Sequence, residues 1–159
     1  MKTGAEKEAL LKEIKTAFEA AKSELGFKSS FDEINDIFYI NDSILNSGFV
    51  SEKFSRQICG RIVDTYMSWL NYLQGLIFPN AGSIVSLSES KLIDEKDKKE
   101  ISKMISEIMS IITTNSVVVI TKDKNLEANF IDEAVSYWKK SFRPRVTGII
   151  HKVNEGWKK

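Results

Sequence analysis

Apolar residues recur at spacings of three and four along most of this chain, and that period points to a packed set of amphipathic helices. The clearest case opens the sequence. Thr3 and Glu6 have capping-box spacing, and Leu10, Leu11, Ile14, Ala17, Phe18, Ala21 and Leu25 then share one helical face before Gly26. Ser30 and Glu33 repeat the capping signal ahead of Phe31, Ile34, Ile37, Phe38, Ile44 and Leu45, and Gly48 closes this second, shorter element. Ser51 is the expected cap of a third helix, whose stripe runs Phe54, Ile58, Ile62, Tyr66, Trp69, Leu73 and Ile77. Cys59, Val63 and Leu70 widen that stripe, so this helix is expected to be central.

The stretch PNAGS (79–83) reads as a turn, because proline, asparagine and glycine favour backbone geometries that interrupt helices. Ile84, Val85 and Leu87 follow as a candidate extended piece. A fourth helix begins near DEKDKKE (94–100) and presents Ile101, Met104, Ile105, Ile108, Met109 and Ile112. The next stretch, TTNSVVVIT (113–121), is ambiguous, since periodicity does not separate a buried β-branched strand from a buried helix end. A fifth helix is expected from Asn125, with Ala128, Ile131, Ala134, Val135, Trp138 and Phe142 inward, and a break at Arg143-Pro144. The last element carries Val146, Ile149, Ile150, Val153 and Trp157, a narrow stripe that must dock on the bundle or form an apolar interface with another molecule.

The expected fold is therefore all-α, a single domain over residues 1–159 made of five or six helices. Residues 84–87 and 117–121 are candidates for a minor two-stranded β element. A composition that is 42% hydrophobic and 28% charged, with two prolines and eight glycines, suits a globular chain of this length. One cysteine and one histidine exclude an internal disulfide and a His/Cys zinc site, and no cofactor is implied. The apolar stretch at 67–78 is broken by Ser68, Asn71, Gln74 and Gly75 and is too short for a transmembrane segment. With no apolar leader after Met1, the expected compartment is the cytoplasm, the alternative being a mature secreted fragment without its leader.

Charge is uneven. Residues 139–159 hold seven Lys or Arg against Glu155 alone, a local charge of +6, while the other 138 residues sum to −5. Lys139, Lys140, Arg143, Arg145, His151 and Lys152 are thus candidate binding residues for a polyanion, with Arg143 and Arg145 flanking Pro144 as two guanidinium forks suited to phosphate oxygens. Arg145 and His151, with five residues between them, also resemble the Arg-x(4 to 6)-His signature of HEPN-family ribonucleases, small helical domains that cleave RNA at a dimer interface. That resemblance implies a joint role for Arg145 and His151 at the scissile phosphate. The polar residue that the family usually places after the arginine is Val146 here. Asp32 with Asp36, and Asp132 with Glu133, are ordinary surface carboxylates, whereas Arg61 and Asp64 inside the apolar third helix suggest a structural ion pair.

No catalytic constellation, phosphate loop or metal pair accompanies these features. The leading expectation is a non-catalytic helical interaction module that binds a protein partner or a second copy of itself, with no small-molecule ligand. A nucleic-acid-associated subunit using the basic block comes next, and a HEPN-like metal-independent ribonuclease third. The near-neutral total charge favours the first.

Overall fold

Both N-terminal capping boxes form as written. Thr3 caps α1 (Gly4–Leu25) and Ser30 caps α2 (Phe31–Phe38), each with its Glu reaching back to the cap backbone. In the computed structural model, which describes residues 1–159, the chain is all-α and contains no strand. The remaining elements are α3 (Ile40–Ser47), α4 (Phe54–Ile77), α5 (Ile84–Ser90), α6 (Glu95–Thr121), α7 (Lys124–Tyr137), a π-helical segment (Trp138–Phe142) and α8 (Arg143–Lys158). Eight α-helices thus replace the five or six expected.

Two departures account for the difference, a split at Tyr39 and a helix where residues 84–87 were expected to be extended, and the structure differs elsewhere as well. The element expected between Ser30 and Gly48 is two helices, because Tyr39 adopts a left-handed φ of 55° and donates its N–H to the Asn35 carbonyl. Ile40 would lie off the stripe of a continuous helix; the break re-phases it into the core, where it is 2% exposed. The proposed β element does not form. Ser83 caps residues 84–87 into α5, and residues 113–121 continue α6, whose Thr113 and Thr121 hydroxyls donate to carbonyls four residues back. With no strand beside it, a β-branched run has only the helix to satisfy its backbone.

The expected break at Arg143-Pro144 is also absent. Arg143 is helical, with φ −55° and ψ −49°, and its N–H bonds to the Trp138 carbonyl five residues back. This π turn widens the backbone just before the proline, whose ring would otherwise press on the carbonyl four residues earlier. Pro144 then sits in the first turn of α8, where a missing N–H costs little. Finally, Arg61 Nε donates to the Phe38 carbonyl at 2.9 Å, covering the end of α2, while Asp64 is exposed.

The chain packs as two compact units, one comprising Met1–Thr65 with Thr114–Val135, the other Tyr66–Thr113 with Ser136–Lys159. In the first, Ile14, Phe18, Ile34, Phe38, Ile58 and Ile62 are fully or almost fully buried, and Phe27 and Phe31 meet the Phe18 ring edge-on at 5.5 and 5.1 Å. Asp132, taken from sequence as a surface carboxylate, instead pins the loop after α1. It accepts from the backbone N–H groups of Lys28 and Ser29 and from the Ser29 hydroxyl at 2.6 to 3.0 Å. In the second unit, Tyr66, Trp69, Tyr137, Trp138 and Phe142 form an aromatic cluster, with Phe142 lying 5.4 Å from Trp69 and 5.2 Å from Trp138. Leu73, Ile101, Met104 and Ile108 complete that core. By length and composition α6 could cross a membrane; it supplies Ile101, Met104, Ile108 and Val118 to the interior, yet only 17% of its most apolar window is buried.

Candidate functional site

The basic C-terminal block is partly neutralised by carboxylates of its own unit. Arg145 donates through Nε to Glu100, and through an Nη to Glu107 at 2.6 Å and to the Ser141 hydroxyl at 2.8 Å. Tyr137 donates to the same Glu107 oxygen at 2.9 Å. Burial alone would raise the Glu107 carboxyl, but the hydrogen bonds from Arg145 and Tyr137, with the charges of Arg145 and Lys103, outweigh it and hold the group below its ordinary value. Lys152 pairs with Asp97 and, at 3.4 Å, with Asp94; Lys158 pairs with Glu155 at 2.8 Å. Arg145, Lys152 and Lys158 are thereby matched internally.

This corrects the picture of two guanidinium forks on a non-helical corner. Arg143 is exposed on a continuous helix, whereas Arg145 is turned inward and its side chain is only 19% exposed. Lys139 and Lys140 are exposed. His151 is exposed too, in a shallow hollow whose lining does not include Arg145. The apolar stripe of the last helix is mostly core: Val146, Ile149 and Val153 are 4 to 5% exposed and Ile150 is half-buried. Trp157 alone stays open, at 52%. Such a stripe cannot serve as a free interface, because its own unit already covers it.

An apolar surface does exist elsewhere in the second unit, at the junction of α4 and α5. Asn80 folds the PNAGS turn by accepting from Gly82 N–H at 2.9 Å, and Ser83 caps α5 by accepting from Ser86 N–H at 3.2 Å. The Ser86 hydroxyl faces α4, donating to the Gly75 carbonyl at 3.3 Å and accepting from Asn80 N–H at 3.1 Å. Glu89 accepts from the Trp157 indole at 2.9 Å and bonds the Tyr72 hydroxyl. Burial, reinforced by the Glu89 charge, pushes that phenol up to about 12. The side chains that attach α5 to its unit are thus polar.

Ile84 and Val85 face solvent, whereas Leu87 is mostly covered. Ile84 is 82% exposed, Val85 56% and Leu87 36%, Phe78 just before the turn is 77% exposed, and α5 contributes no buried residue at all. An ordinary surface helix does the reverse, turning its apolar stripe to the core and its polar face to water. The sequence reading missed this surface because it took 84–87 as extended. The available signal was Ser83 with Ser86 and Glu89 at helical spacing, which places the polar residues, and not Ile84 or Val85, on one face.

No family model matches this chain, and no curated protein or solved structure is similar to it.

Proposed function

We propose that this protein is a non-catalytic interaction module that docks an apolar segment of a protein partner on the surface formed by Phe78, Ile84, Val85 and Leu87. The supporting observation is the inverted attachment of α5, polar residues inward and large apolar residues outward. Large apolar groups left facing water favour association. Burying a fully exposed large apolar side chain gives roughly 1.5–3 kcal/mol, so these four, which are already partly covered, supply about 4–8 kcal/mol before the cost of association. That scale suits a transient complex, micromolar or weaker, unless polar contacts around the rim add to it.

The internal pairing of Arg145, Lys152 and Lys158 weighs against a polyanion as the main partner, and an inward Arg145 weighs against the ribonuclease-like reading. To test the docking surface, peptides are selected from a random display library on the wild-type chain, and their dissociation constants are measured for wild type and for Ile84→Ser/Val85→Ser/Leu87→Ser. Protein docking at α5 requires the selected peptides to be apolar and to lose at least tenfold in affinity on the variant. Equal affinity for a folded variant overturns the assignment, as does binding of the wild type to lipid vesicles but to no peptide.

A further inference from the structure

The first unit carries a groove of 480 Å³ that the docking proposal does not use. One wall is the C-terminal half of α1, where Ala17, Ala20 and Ala21 leave space that larger side chains would fill; the other is Val118 and Val119 near the end of α6, with Phe54 at the start of α4. Its volume lies within the range of small-ligand sites, which combine apolar walls with a few convergent polar groups.

Such polar groups are present. Arg56 and Glu127 both line the groove, and the Arg56 guanidinium bonds Glu127 at 3.3 Å and Asn115 at 2.9 Å. Glu127 is 8% exposed and also meets the Cys59 thiol at 3.7 Å, so Arg56 is needed to neutralise a carboxylate that is almost buried. A guanidinium has five N–H donors, two of which these contacts occupy. The Arg56 side chain is 30% exposed, and its remaining nitrogens are not buried and unsatisfied, so donors stay open to an incoming group.

The charges around the groove are unbalanced. Its cations are Lys53, Arg56, Lys122 and Lys124, and its carboxylates are Glu24, Glu52 and Glu127. Arg56 pairs with Glu127, and Lys124 pairs with Glu24 at 2.7 Å. Lys53 and Lys122 are left against Glu52 alone, an excess of one positive charge beside alanine, valine and phenylalanine walls.

From these features we infer that the groove binds a small amphipathic monoanion, its acidic head against Arg56, Lys53 and Lys122 and its apolar body between α1 and α6. A medium-chain carboxylate fits that chemistry. The test is isothermal titration of the full chain with sodium decanoate below its micelle concentration, with decanol as the uncharged comparison. Expected are saturable binding of one decanoate per chain that weakens as salt is raised, and at least tenfold weaker binding of decanol. Lys53→Gln/Lys122→Gln is expected to weaken decanoate binding by about three- to tenfold, as loss of rim charges implies. Ala20→Phe, at a solvent-exposed α1 position that should tolerate it, is expected to abolish binding by filling the groove. The inference fails if decanoate gives no saturable heat, or if both variants fold and bind as wild type does. It fails equally if binding is lost only in Ile84→Ser/Val85→Ser, which would place the ligand on α5.

Discussion

Replacing Arg145 by alanine distinguishes a structural arginine from one held for a polyanion. The wild-type side chain is 19% exposed and links Glu100 and Glu107, which are 43% and 31% exposed, while also bonding Ser141. Removing one partner of a fully buried pair costs about 3–5 kcal/mol, and a fully exposed pair is worth about 0–1 kcal/mol. Arg145 lies between those limits, and the loss expected at pH 7 is about 1–3 kcal/mol, because two neighbouring carboxylates lose their shared cation. For a chain of this size that corresponds to roughly 2–4 °C of melting temperature per kcal/mol.

The pH dependence follows from Glu107. A carboxyl whose pKa is depressed in the folded state adds stability above its unfolded value, and that contribution is lost as pH falls through the folded value. The gap between wild type and Arg145→Ala should therefore be widest near pH 7 and should shrink towards pH 3. Urea unfolding followed by circular dichroism at both pH values measures it. Equal stability of the two proteins at pH 7, or a gap that grows on acidification, would refute the pairing of Arg145 with Glu107.

Other consequences are simpler to check. Asp132→Asn, which removes the charge that binds the Lys28 and Ser29 N–H groups, should destabilise the fold by about 1–3 kcal/mol in urea melts. Leu73→Ala should cost about 2–5 kcal/mol because Leu73 is fully buried, whereas Ile84→Ser should change stability by less than about 0.5 kcal/mol. Cys59 should react with a disulfide reagent at pH 8 only after unfolding, since burial pushes its thiol up to about 12 and leaves it 0% exposed.

Much of the helical architecture was legible because capping and periodicity act locally. Thr3 with Glu6 and Ser30 with Glu33 are short-range signals that tertiary packing did not need to override. The α2–α3 break was not legible, since Tyr39 is not a residue type that advertises a left-handed backbone, and the gain from burying Ile40 is visible only once the helices pack. Pro144 misled for a related reason: the π turn that accommodates it has no sequence signature of its own. The charge cluster was correctly located in the chain, but Arg145 and Lys152 find carboxylates on α6, 38 to 58 positions away, or just before it, and linear spacing cannot reveal such partners. Helix α5 defeated the reading most completely, because Ile84 and Val85 face water and none of its residues is buried.

The inverted attachment of α5 is best tested by thiol accessibility, for which the shielded Cys59 leaves a silent background in the native chain. Val85→Cys and Ser86→Cys are made separately, and their maleimide labelling rates are compared in the native chain and in urea, where the labelling of Cys59 is measured on the wild-type chain and subtracted. The inverted attachment requires Val85→Cys to react at nearly the unfolded rate and Ser86→Cys to be protected against α4. Protection of Val85→Cys together with fast labelling of Ser86→Cys would mean that α5 buries its apolar side, and the docking surface would not exist.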